Sequence, residues 1–229
     1  MTAFNGSLEL GSQGLDATRA KVLKNTYWLL ALTMLPTIAG AWIGSAFSLF
    51  AAPSGGWVLL GVVVAAFGLI FAITKARNSA WGVPLLLAFT FLMGLVLSGS
   101  VDRALKFKNG AQLVMTAFGG TAGVFFAMAS LATVIKRDLS GMGKWLFAGL
   151  IALLLVGVIN VFVGSTALML AVSAISVLLF SAYLLYDVKQ VIDGGETNYI
   201  VATLSIYLDL INIFQSLLNI LGFFGGESD

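Results

Sequence analysis

YLLYDVKQVIDGGETNYIVATLSIYLDLINIFQSLLNILG, residues 183–222, is the stretch on which the reading of the whole chain turns. It is an apolar segment ending near a carboxylate, a short polar turn, and a second apolar segment. From Asn198 to Gly222 the one formal charge is Asp209. On a helix Asp209 lies about 16 Å from Asn198 at the standard rise. A charge that deep in a membrane helix costs about 2.5–3.5 kcal/mol on insertion scales, so it calls for a partner or a task. The best partner nearby is Asp187, which closes the preceding apolar segment.

Asp209 also sits in a polar line. Asn198, Ala202, Ser205, Asp209, Asn212, Ser216 and Asn219 follow at alternating steps of four and three, which puts them on one face of a helix. Ile206, Leu210, Ile213, Leu217 and Ile220 take the opposite face. Two readings of the polar face stand side by side. Small and amide side chains let helices approach and hydrogen-bond across a bundle. An ionisable group among them points instead to a hydrated cavity or ion path.

The rest of the chain is of the same kind. It is 229 residues long, 59% hydrophobic and 10% charged, with mean hydropathy +1.02, far from the composition of a soluble domain. A net charge of +2, with the basic residues scattered between apolar runs, gives no sign of nucleic acid as a partner. Cysteine and histidine are both absent. That excludes disulfides, thiolate nucleophiles, Ser–His catalysis and histidine-ligated zinc, and leaves pH sensing to carboxylates.

Outward from the decisive stretch, apolar runs of membrane length recur. Residues 1–24 form a polar segment with no apolar h-region, read as a short mobile cytoplasmic tail ending in Arg19, Lys21 and Lys24. The uncharged run from Asn25 to Thr74 is too long for one span, and AAPSGG at 51–56 divides it into helices at about 25–48 and 57–75. Pro36 should kink the first, where Gly40 and Gly44 form a close-packing face. Helices at about 80–100 and 110–135 follow, the latter with Gly119 and Gly123 spaced for close packing. After the charged loop KRDLSGMGK, 136–144, the run Trp145–Tyr186 divides at VGST, 163–166, and Asn198 begins the seventh helix. The expectation is an all-α integral membrane protein, a bundle of seven transmembrane helices over residues 25–222, with a short external tail at 223–229.

Orientation follows from basic residues in short loops. With the N-terminus inside, nine of the twelve Lys and Arg residues are cytoplasmic, and Arg103, Lys106 and Lys108 lie outside. The C-terminus then ends outside, and the turn between Asp187 and Asp209 opens toward the cytoplasm.

Three segments resemble the Bax inhibitor-1 (TMBIM) family, most closely its bacterial YccA-type branch. They are KVLKNTYWLLALT, KRDLSGMGKWLFAGL and GGETNYIVATLSIYLDLINIFQSLLNILG. The resemblance runs from Lys21 onward and implies a seven-helix bundle with the last helix at its centre, in a bacterial inner membrane. It implies a pH-sensitive Ca2+ leak channel in which two aspartates form a pH sensor latched by an arginine. Asp187 and Asp209 match that pair, and Arg77 stands near the arginine's place. It implies as an alternative a modulator or binding partner of the membrane-bound AAA quality-control protease and its associated complex, for which the N-terminal segment is a plausible handle.

The residues themselves give the channel a physical basis. Two buried carboxyls can hold one shared proton near neutrality, because burial and mutual repulsion both disfavour the doubly charged state. Once deprotonated they would attract Ca2+ or another cation that prefers oxygen ligands, with no other cofactor called for. Asn198, Ser205, Asn212, Ser216, Asn219 and Tyr183 are the candidate path-lining residues. The competing reading makes Asp187 an interfacial helix-end residue paired with Lys189 or Lys136. An aspartyl protease also needs two carboxylates around one water. Its second motif is GxGD where this chain has IYLD, and no PAL segment follows, so no enzyme is expected.

Overall fold

The computed structural model describes the backbone of residues 2–47 and 55–226 and the side chains of residues 17–47 and 61–226. Seven helices follow one another: α1 Thr2–Ala46, α2 Gly55–Ala76, α3 Gly82–Leu105, α4 Gly110–Val134, α5 Met142–Val163, α6 Thr166–Asp193 and α7 Tyr199–Gly225. No strand occurs among the described residues. Among the described residues six helices carry a window long and apolar enough to cross a bilayer, and α2 adds an apolar run over Gly61–Ala76. The expected membrane bundle of seven helices is what the chain forms.

Boundaries agree within a few residues except at the N-terminus. A helix start near residue 25 was expected, whereas α1 runs unbroken from Thr2 through Pro36. Leu, Glu, Ala, Arg and Lys between residues 7 and 24 are good helix formers, and no proline precedes Pro36. Polarity ends the membrane span there without ending the helix. The turn expected at 51–56 falls mostly outside the described residues, as do residues 227–229 of the C-terminal tail, whose first three residues continue α7.

In lipid, apolar surface alone does not drive helices together; close van der Waals packing and interhelical hydrogen bonds do. The α1–α3 seam shows both. A Cβ added at Gly40 would collide with the Phe91 carbonyl, and one at Gly94 with the Thr37 carbonyl. The two backbones therefore touch, and the small-residue face expected at Gly40 and Gly44 is used. The matching face on α4 is not: nothing lies within 4 Å of a Cβ at Gly119 or Gly123. That expectation fails because the same spacing serves equally on a surface turned outward.

α7 packs against α1, α2, α3, α4 and α6, and half of its apolar window is buried. Tyr207, Ile206 and Ile213 are sealed in the interior, and Asp209 and Ser216 are buried with them. Tyr207 joins α7 to α1 and α3, its hydroxyl 2.8 Å from Thr37 Oγ1 and donating to the Thr90 carbonyl at 3.3 Å. α5 is the opposite case. It packs on α6 and leaves Trp145, Val161 and Phe162 exposed, the surface a lipid-facing helix presents.

A buried carboxyl pair at the α6–α7 hairpin

The hairpin that carries the site is built by two caps. Gly194 ends α6 in the left-handed region, φ 81°, which a residue with a side chain adopts only under strain. Gly195 and Glu196 then donate their amides back to the Gln190 carbonyl at 2.8 and 3.1 Å. Asn198 begins α7: its Oδ1 accepts from the amides of Ile200 and Val201, and Glu196 Oε1 accepts from the Asn198 amide at 2.7 Å. Its Nδ2 donates to the Arg77 carbonyl and to Asn78 Oδ1, both at 2.9 Å. One side chain thus starts α7 and ties it to the α2–α3 connection.

This short hairpin makes α6 and α7 antiparallel neighbours and brings Asp187 opposite Asp209. Their carboxyls lie close enough to act on one another. Asp209 is 4% exposed, and its Oδ2 is buried without a hydrogen-bond partner. Of the two lysines expected as alternative partners of Asp187, Lys189 is engaged elsewhere: its Nζ donates to Asp193 Oδ1 at 2.8 Å.

A cavity of about 280 Å³ opens beside the pair, lined among others by Asp187, Gln190, Glu196 and Ser205. A second, of about 240 Å³, lies against Asp138, Ser140, Lys189 and Asp193 and shares Tyr186, Gln190 and Gly195 with the first. Both sit at the hairpin end of the bundle. Asp138, in the α4–α5 connection, has its carboxyl held below the usual range by hydrogen bonds from the Ser140 amide and hydroxyl. Among the described residues no three acidic side chains gather as a metal site. Two carboxylates supply at most four oxygens where Ca2+ takes six to eight, so a Ca2+ ion there would complete its shell with water or carbonyls.

The other expected residues are distributed as follows. Arg77 is exposed, and among the described residues its guanidinium makes no ion pair; its carbonyl is what holds α7. Asn198 is a cap and a tie. Ser205 lines the cavity, and Tyr183 lies half-buried, stacked on Phe180 with ring centroids 6.1 Å apart. Asn212 is half-buried with its Nδ2 bonded to the Leu208 carbonyl, Ser216 is buried, and Asn219 is half-buried. Ser173, Ser176 and Phe180 were missed. They stand 14, 11 and 7 residues before Asp187, the spacing of a single helical face, so counting backward from Asp187 would have found them.

A membrane bundle of seven helices with two neighbouring carboxyls between its last two is the class that fold and site define. Residues 19–226 match the family described as "Inhibitor of apoptosis-promoting Bax1". The chain belongs to the Bax inhibitor-1 family. It is 40% identical over 203 residues to the Escherichia coli K12 protein named "Modulator of FtsH protease YccA", covering 89% of this chain and 90% of that one. It is also 40% identical over 203 residues to an "Uncharacterized membrane protein" of Vibrio cholerae, covering 88% and 89%. An uncharacterised protein of Neisseria meningitidis serogroup A is 41% identical over 209 residues, covering 90% and 92%.

Proposed function

We propose that this protein is a pH-sensitive cation leak channel of the inner membrane, passing Ca2+, whose gate is the Asp187–Asp209 pair. The observation that carries the reading is a pair of neighbouring carboxyls inside a membrane bundle, with Asp209 Oδ2 unsatisfied and a cavity beside Asp187. A purely structural polar contact has no reason to leave a buried carboxyl oxygen unpaired, because such an atom costs about 1–3 kcal/mol. With one proton shared, the pair keeps one negative charge to draw a cation. Without it, two unit charges 4 Å apart at an effective dielectric of 20 repel by about 4 kcal/mol, enough to demand a counter-charge. Arg77 is the candidate for that role. Its backbone is fastened to the start of α7, and a guanidinium stays charged and can grip a carboxylate with two parallel hydrogen bonds. In this scheme the deprotonated pair is latched and acid releases the latch. With the N-terminus inside, the cavity faces the cytoplasm. Ca2+ flux into proteoliposomes across pH tests the scheme, since the leak should rise as pH falls.

A second reading rests on the relative named as a modulator of FtsH protease. This chain would then act as a membrane partner of such a protease, with the polar first half of α1 as the contact. The two roles are compatible, and they separate in the same experiment: a pure modulator conducts nothing.

A further inference from the structure

The buried and half-buried positions of α1 follow one face. Thr37, Thr33, Leu30, Thr26, Val22 and Arg19 recur at steps of three and four. Arg19 ends that inward face, whereas Lys21 and Lys24 beside it are exposed. What Arg19 meets is the α6–α7 hairpin. A Cβ at Gly194 would lie 2.7 Å from Arg19 Nε and 3.2 Å from its Cζ and Nη2, so the guanidinium rests against the Gly194 backbone. Gly194 caps the C-terminus of α6, the end of a helix dipole where a cation is favoured.

Two further contacts fasten α1 deeper in the bundle. Thr203 Oγ1, which donates to the Tyr199 carbonyl at 2.7 Å, also lies 3.3 Å from the Thr26 carbonyl. The Tyr207 hydroxyl lies 2.8 Å from Thr37 Oγ1. Thr203 and Tyr207 both belong to α7, a few residues before Asp209. The hairpin that carries Asp187 and Asp209 is therefore held from outside by α1. Past Arg19 the helix does not stop: α1 begins at Thr2, so its polar end runs on for about 26 Å beyond the contact. A rigid helix can carry a displacement from its end to its contacts, where a loose tail would not.

We propose that the polar end of α1 is a lever on the carboxyl hairpin, with Arg19 on Gly194 as its point of contact. A partner that grips residues 2–18 loosens the α6–α7 turn, and loosening of that turn releases the lever, because coupling between two sites runs both ways. The natural occupant of the lever comes from the second reading above and its effect on flux from the first, but the coupling is tested without either.

The chain has no cysteine, so Ser205→Cys, in the cavity beside Asp187, reports on the hairpin without background. Its rate of modification by a methanethiosulfonate reagent, which attacks accessible thiolate, is measured in detergent. Arg19→Ala and Arg19→Gln should each raise that rate about two- to fivefold, the opening that a cation on a helix C-terminus suppresses. Lys21→Ala removes a charge from the exposed face of the same turn and should leave the rate unchanged. The reverse direction is read by trypsin cleavage after Lys21 and Lys24. Asn198→Ala loosens the hairpin from its other side and should speed that cleavage; Asn198→Asp, which keeps the cap acceptor, serves where the alanine variant fails to fold. With Arg19→Gln already in place, the change at Asn198 should add nothing. A labelling rate indifferent to Arg19, or raised equally by Lys21→Ala, overturns the contact, and additive effects on cleavage overturn the coupling. The expected labelling and cleavage with no conduction by any variant in proteoliposomes removes the channel reading and leaves the lever. Conduction by the wild type with unchanged labelling removes the lever and leaves the channel.

Discussion

Asp209 is the residue on which the functional account stands. Its isolation in an uncharged helix was visible in the sequence, and so was its likeliest counterpart, because a five-residue connection can join the two helices only as neighbours. How near the two carboxyls come was not legible: a rotation of either helix by a third of a turn would have separated them without changing the pattern of apolar residues. Of the alternative partners for Asp187, Lys189 pairs instead with Asp193 four residues on. At this scale Asp138 offers a test of pH dependence. Its carboxyl is lowered by the two hydrogen bonds from Ser140, so whatever stability they lend is present above the ordinary carboxylate range and is lost as pH falls through the lowered value. Replacing Ser140 with Ala should return the Asp138 titration toward the ordinary range. Carboxyl-carbon NMR reads this directly, and an unmoved titration would mean that the Ser140 contacts do not matter in solution.

The helices were legible where composition alone decides them and illegible where partners do. Runs of apolar residues and the breaks between them gave seven helices. They could not distinguish Gly40, whose Cα lies against the Phe91 carbonyl, from Gly119, which faces open space. The four-residue spacing of small residues is a property of one helix, whereas close approach is a property of two. The difference is measurable. Gly94→Ala forces the α1 and α3 backbones apart and should lower stability in detergent by about 1–3 kcal/mol, as overpacking does. Gly119→Ala meets nothing and should be neutral or slightly stabilising, since alanine suits a helix better than glycine by about 1 kcal/mol. Equal effects of the two would contradict the packing described here. Asn198→Ala removes the α7 cap, which by itself costs about 1 kcal/mol, and the tie to Arg77 and Asn78 as well. It should therefore lower the melting temperature more than loss of an ordinary cap.

At the scale of the whole molecule, the distribution of basic residues speaks for an N-terminus inside, with nine of twelve on that side. A reporter fused after Asp229 should then read out as external; a cytoplasmic signal would turn the carboxyl hairpin to the other face of the membrane. The polar N-terminal residues, expected as a loose tail, continue α1 as one helix, because polarity sets where a span ends and helix propensity sets where a helix does. The central claim remains that the carboxyl pair senses protons and governs a leak. Ca2+ flux into proteoliposomes, from about pH 5 to pH 8, around the range where buried carboxylates titrate, tests it with the wild type beside Asp209→Asn. Asparagine keeps the shape and the hydrogen bond but cannot ionise. A wild-type leak that rises with acid, and a leak in Asp209→Asn that does not change with pH, is the predicted result. A wild-type pH profile retained in Asp209→Asn, or no leak from the wild type at any pH, would contradict it.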